Sequence, residues 1–142
     1  MSQLYLLDTN TISYIIKGKS PAARVKLASL GDGEIACISS ITEGELLYGL
    51  AKTGGGAARF KSIEWFLARL KVLPWGREEA ATYGPLRFKQ EARGKPLRPL
   101  DILIASHAVA TGAVLVTNDR AFNHVADLRG IENWASDVLR GV

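Results

Sequence analysis

The sequence predicts an α/β domain: a mostly parallel sheet covered by helices on both faces. Two observations carry that prediction. Short apolar runs alternate with amphipathic helical stretches along nearly the whole of the 142 residues, the pattern that builds parallel sheets from strand–helix–strand units. The composition, 47% hydrophobic and 23% charged, is that of an ordinary globular chain, and the length suits one domain with one continuous core, residues 1–142.

Residues 4–7 form a first apolar strand ended by Asp8, and residues 9–16 read as a helix with Ile12, Ile15 and Ile16 on its apolar side. Ser20 followed by Pro21 is an N-cap with proline at the first helical position, opening a helix expected to run to Leu30 and stop at Gly31. Residues 34–38 make the second strand, with Cys37 as a buried strand residue. Ser40 is the expected start of the next helix, with Glu43 three residues on as its capping-box partner, running to about Leu50. Three glycines, Gly54 to Gly56, separate it from residues 57–70, where Phe60, Ile63, Phe66, Leu67 and Leu70 form an apolar stripe. These two helices should form a hairpin.

A brief strand at 71–73 precedes a helix at 77–93, in which Gly84-Pro85 predicts a kink or a break. Residues 95–99 form an extended connector. Residues 100–111 are a helix stopped by Gly112, residues 114–116 a buried strand, and 130–134 the place for a last short strand. The longest apolar runs fall far short of a membrane span, and the N-terminus lacks a basic leader with a cleavage site, so a cytoplasmic protein is expected.

Four acids carry the chemistry: Asp8, Glu45, Asp101 and Asp119. Two follow short apolar runs and two sit on apolar-periodic helices, settings in which a lone carboxylate is costly to desolvate. Ligands of open parallel sheets bind beyond the carboxyl ends of the strands, so Asp8 and Asp119 can share one crevice. Clustered carboxylates either shift their pKa values upward or bind a hard divalent cation. Asp101, in the first turn of its helix, also admits a capping role, and Glu45 admits a solvated helical one. Glu43 is explained by the capping box.

The formal charge is +4; with four acids committed to a pocket, the remaining surface is more basic still, which suits a phosphate backbone. Other chemistries fail on specifics. Gly18-Lys19-Ser20 lacks the upstream glycine of a phosphate-binding loop, because that position is Ser13. His107 and His124 are the only histidines, with His107 read as a helix-surface or packed residue, and the usual zinc clusters are missing. A phosphatase of the haloacid-dehalogenase type needs an Asp where Asn10 stands. A receiver-like module needs a carboxylate where the second strand ends in Ile38-Ser39-Ser40.

In order and spacing, Asp8-Thr9-Asn10 after the first strand, Ile38-Ser39-Ser40-Ile41-Thr42 with Glu45, Leu46 and Gly49, Pro99 with Asp101, Ile104 and Ala105, and Val116-Thr117-Asn118-Asp119 with Phe122 resemble the motifs of PIN-domain ribonucleases, specifically the VapC toxins of VapBC toxin–antitoxin pairs. Gly94 and Pro96 ahead of Asp101 add to the match, which covers residues 4–134. The resemblance implies a three-layer α/β/α sandwich with a central, mostly parallel sheet, and a metal-dependent endoribonuclease whose Mg²⁺, or Mn²⁺ in its place, is held by the acids. Asp8 and Asp101 would be the metal ligands, Glu45 would orient or deprotonate the attacking water, and Asp119 would complete the pocket or hold a second ion. Thr9, Thr117 and Asn118 would orient the carboxylates.

The resemblance further implies a homodimer, neutralised by a VapB-type antitoxin within a larger complex, and an RNA substrate such as a tRNA anticodon loop, with initiator tRNA favoured. No membrane association and no direct DNA contact by this chain are expected. Leu46, Leu47, Tyr48, Leu50, Phe60 and Trp65 are candidate interface residues. Lys17, Lys19, Arg87, Lys89, Arg93, Lys95 and Arg98 are candidates for phosphate contacts.

Overall fold

The computed structural model describes residues 2–139. Among them five strands form one sheet: β1 (Gln3–Leu7), β2 (Glu34–Ser39), β3 (Lys71–Leu73), β4 (Val114–Val116) and β5 (Ile131–Glu132). Their spatial order is β3-β2-β1-β4-β5 and every pairing is parallel, with Leu6 opposite Cys37 on one side and Leu115 on the other. The helices are α1 (Thr9–Ile16), α2 (Pro21–Ala28), α3 (Ser40–Lys52), α4 (Ala57–Arg69), α5 (Arg77–Ala92) and α6 (Pro99–Thr111), with a 3₁₀ turn at Arg120–His124. The expected strands and helices are all present, and the sandwich has its three layers.

The pleat explains the layering. Successive strand residues point to opposite faces, so Tyr5, Leu7, Ile38 and Val116 join Ile12 and Ile15 of α1, Leu46 of α3 and Phe66 of α4 in one core. Leu6, Cys37 and Leu115 join Leu86 of α5, Ile102, Ala105 and Ala108 of α6, and Phe122 of the 3₁₀ turn in the other. Helices α1–α4 thus cover one face and α5–α6 the other. Leu6, Leu7, Ile12, Ile15, Ile38 and Leu115 are fully buried, each contributing about 1.5–3 kcal/mol of transfer free energy. Cys37 belongs to this core: its Sγ donates to the Tyr5 carbonyl at 3.3 Å, and burial pushes the thiol pKa up to about 12.

Several local expectations are corrected. Helix α2 ends at Ala28 rather than Leu30. The Ser29 hydroxyl donates to the Lys26 carbonyl at 2.9 Å, a local bond that competes with helix continuation. Helix α3 is capped by Ser39, whose Oγ accepts from Ile41 N–H at 3.1 Å, while the Ser40 hydroxyl accepts from Trp75 N–H. The box expected between Ser40 and Glu43 therefore does not form.

Helix α5 runs through Pro85 without a break. The residue before a proline is normally driven from helical geometry by its own Cβ, and Gly84 has none. Helix α6 begins at Pro99, one residue early, because proline is preorganised for the first helical position. It ends at Gly112, whose φ of +69° is the left-handed cap that glycine alone adopts freely. No helix among the described residues is long and apolar enough to cross a membrane.

Candidate active site

Strands β2 and β3 lie on one side of β1, and β4 and β5 on the other. Chain order therefore reverses between β1 and β4, and connections leaving the carboxyl ends of these two strands part to open a crevice. Asp8 is the first residue past β1. It is 6% exposed and caps α1: Oδ1 accepts from Thr11 N–H at 2.8 Å, and Oδ2 accepts from the Thr117 hydroxyl at 2.5 Å. Its backbone N–H donates to the Val116 carbonyl. Strand β4 and the segment after it thus hold this carboxylate in a single orientation.

Glu45 reaches the crevice from the middle of α3. One turn earlier on the same helix, buried Thr42 shares a hydrogen bond of 3.1 Å with Thr9, and residues three apart share a helix face. That bond aligns the Glu45 side of α3 with α1. Asp101 enters from the first turn of α6, where Pro99 occupies the first helical position. Its Oδ2 lies 3.9 Å from Arg98 Nε.

Helices α3 and α6 are also joined behind the crevice. His107, 1% exposed, places Nδ1 at 2.8 Å from Ser39 Oγ, the cap of α3. Trp75 bridges Ser40 and the Leu103 carbonyl. Burial holds the His107 pKa below the ordinary imidazole value, with the negative charge of Glu79 opposing.

The result is a cleft of about 450 Å³ lined by Asp8, Thr9, Asn10, Glu45, Arg98, Pro99, Leu100, Asp101 and Ile104. Three of the four predicted acids therefore share one cavity. Asp119 stands beside it, outside the lining. It caps the 3₁₀ turn through Ala121 N–H, and its own N–H donates to Thr117 Oγ1, which in turn holds Asp8. Glu43 does not line the cleft. The sequence reading gave no role to Thr42 or to the His107–Ser39 bond. The spacing of Thr42 from Glu45 was a usable signal for the first.

The donor set is one of hard oxygens. Among the described residues no three acidic, histidine or cysteine side chains converge into a metal cage; hard carboxylate oxygens are the donors that an ion of the Mg²⁺ kind takes, one or two at a time with several waters kept. Asn118, between Thr117 and Asp119, has both amide atoms buried without a hydrogen-bond partner among the described residues, a demand ordered water can meet. The residues fit a hydrated divalent cation.

Fold and crevice together define a class: a parallel-sheet domain with a carboxylate cleft at its topological switch point, suited to phosphodiester hydrolysis. Residues 5–128 match the PIN domain family. The chain is 36% identical over 132 residues to the tRNA(fMet)-specific endonuclease VapC of Shigella flexneri, covering 92% of this chain and 98% of that one. It is 38% identical over 131 residues to the ribonuclease VapC2 of Haemophilus influenzae, covering 92% and 97%. Among solved structures, VapBC2 of Rickettsia felis bound to a promoter DNA fragment superposes with a TM-score of 0.87 at 34% identity, covering 93% of this chain and 99% of that one. The chain belongs to the PIN-domain family, among its VapC ribonucleases. It is accordingly an endoribonuclease of a family whose nucleases depend on a divalent metal.

Proposed function

We propose that this chain, acting as one domain in the cytoplasm, is a toxin that cuts initiator tRNA in its anticodon loop. The observation that carries the reading is the convergence of Asp8, Glu45 and Asp101, from three separate elements, on one cleft. Asp8 and Asp101 would hold Mg²⁺, for which Mn²⁺ could substitute, and the ion would supply neutralisation of phosphate charge and a more acidic water. Glu45 orients the attacking water and takes its proton. One P–O bond forms to the water oxygen, one breaks to a ribose oxygen, and the departing oxygen takes a proton from solvent water. Asp119 supports the pocket through Thr117 and Asp8. The substrate assignment is supported by the 36% identity to an endonuclease specific for tRNA(fMet).

The partner is a VapB-type antitoxin, as in the VapBC2 complex whose toxin this chain resembles. Its seat is an apolar groove of about 550 Å³ walled by Leu27, Leu30, Ile35, Trp65, Phe66 and Leu70, the kind of surface an amphipathic helix fills. A homodimer of the toxin completes the assembly. DNA contact falls to the antitoxin, and this chain touches none.

The test is cleavage of total tRNA and rRNA by the antitoxin-free chain with Mg²⁺ or Mn²⁺, beside Asp8→Asn. Discrete fragments, from initiator tRNA first, that vanish with EDTA and in the variant are expected. Intact RNA with folded wild type at every metal concentration would overturn the reading.

A further inference from the structure

Among the described residues lining the acid cleft, Arg98 is the one cation. Its side chain is 77% exposed, and its closest charged neighbour is Asp101, at 3.9 Å. Such an exposed, loosely set pair adds little to stability. No hydrogen bond of its guanidinium is formed among the described residues, whereas two of the other candidate cations are engaged, Arg87 with Glu91 and Tyr83 and Lys89 with Asp127, and none of the others lines the cleft. The root of the side chain is nonetheless fixed. Arg98 is the N-cap of α6 at φ −61° and ψ 155°, the extended geometry imposed on a residue before proline.

We infer that Arg98 is the residue that grips the RNA phosphate at this cleft, and that it rests against Asp101 when no cation is bound there. The inference rests on the nuclease reading above. The cleft has three carboxylates and must accept a phosphate that is itself anionic, so a divalent cation alone leaves the assembly short of positive charge. A guanidinium on the rim answers that shortage, because its planar fork matches two phosphate oxygens at once. The contact to Asp101 has the opposite consequence for the metal. A fixed positive charge beside a metal-binding carboxylate repels the incoming ion and competes for the same oxygen. When an ion settles on Asp101, that repulsion turns the guanidinium outward, toward the substrate. Arg98 therefore favours RNA and disfavours metal. A side chain that merely shored up the fold would not act on the two in opposite senses.

The experiment compares the wild-type chain with R98Q and R98K in three measurements: KM and kcat on tRNA, affinity for the same tRNA by fluorescence anisotropy across a salt series with Mn²⁺ bound, each chain then carrying Glu45→Gln so that the RNA stays intact, and Mn²⁺ affinity by electron paramagnetic resonance. R98Q should bind tRNA roughly tenfold more weakly, with a shallower salt dependence by about one phosphate contact, and bind Mn²⁺ roughly threefold more tightly. R98K should keep the salt slope, as a point charge, yet lose part of kcat for want of the fork. Equal tRNA affinity and salt slope in R98Q and wild type would overturn the inference, as would weaker Mn²⁺ binding in R98Q, which would make Arg98 a support for the carboxylates. Wild type that cuts tRNA alongside an equally active R98Q sinks this inference alone. Wild type that neither binds Mn²⁺ nor cuts RNA sinks the nuclease reading with it.

Discussion

Two concavities among the described residues are similar in size and differ in the charge of what lines them. The cleft, about 450 Å³, lies beyond the carboxyl end of β1 and is walled by carboxylates from three elements. The groove, about 550 Å³, lies against the amino-terminal parts of β2 and β3 and is walled by apolar side chains of α2, β2 and α4, with Arg24, Arg69 and Lys71 among its residues. In the cleft, hydrogen bonds from Thr11 and Thr117 aim Asp8; the groove offers area and little direction. A site that does chemistry needs fixed orientation, whereas one that holds a partner needs desolvated surface. The two should therefore fail separately.

The sharpest test of that separation is Asp101→Asn. Removing one negative charge while keeping the shape should cost at least about a hundredfold in tRNA cleavage, since several kcal/mol of charge stabilisation goes with the cation. Antitoxin affinity through the groove should hold, as a pull-down or calorimetric titration would reveal. A loss of both would mean that cleft and groove form one functional surface.

The reciprocal change is Trp65→Ala. Trp65 is 52% exposed, packs edge-on against Phe66 and is covered by Arg69 at 3.7 Å. A half-exposed aromatic in an apolar groove is a typical anchor, and its truncation should weaken antitoxin binding by about 2 kcal/mol, roughly thirtyfold. Cleavage by the free toxin should be unchanged. If the antitoxin binds the variant normally, the groove is not its seat.

Thr117→Val tests orientation within the cleft. The hydroxyl that holds Asp8 Oδ2 and accepts from Asp119 N–H is lost at nearly constant volume, while no carboxylate is removed from the chain. A fall of roughly tenfold in metal affinity, read by titration with Mn²⁺, is the expected scale for a residue that aims a ligand. Equal affinity in both proteins would show that Asp8 needs no such guide.

What the sequence told, and what it withheld, follows the same division between local and distant causes. Asp8, Glu45 and Asp101 were legible because each puts a carboxylate where burial is costly, and Pro99 and Gly112 bracket α6 by backbone chemistry that depends on one residue at a time. The choice between Ser39 and Ser40 as the cap of α3 was not legible. The two serines are chemically equal, and the choice is made by His107, 68 positions away, and by Trp75, which takes the second hydroxyl. Asp119 illustrates the same limit: its order after β4 placed it near the crevice, whereas its bonds to Ala121 N–H and Thr117 Oγ1 depend on a 3₁₀ turn that no residue pattern announced. Of the predicted interface residues, Leu46 is 9% exposed and belongs to the core, whereas Tyr48 and Trp65 are open to solvent. Helical periodicity could not distinguish the faces of a hairpin packed on both a sheet and a neighbouring helix.

The smallest effect expected is on stability and belongs to the bond behind the cleft. His107 is buried, with Nδ1 on the hydroxyl that caps the Glu45 helix and Glu79 as the facing charge. Burial lowers its pKa in the folded chain below the unfolded value of about 6.5, so the unfolded state binds the proton more readily. The contribution is fully present above that pH and is lost as the pH falls below it, at a slope of at most about 1.4 kcal/mol per pH unit for one proton. Urea denaturation at pH 7.5 and at stepwise lower pH should show this acid-side loss in the wild type and a flatter limb in His107→Gln, whose amide does not titrate. Identical limbs would mean that His107 binds its proton equally well in the folded and the unfolded chain. A wild type that instead gains stability toward acid relative to His107→Gln would mean a charged ring in the folded chain, with the Ser39 hydroxyl accepting from His107 as well as from Ile41.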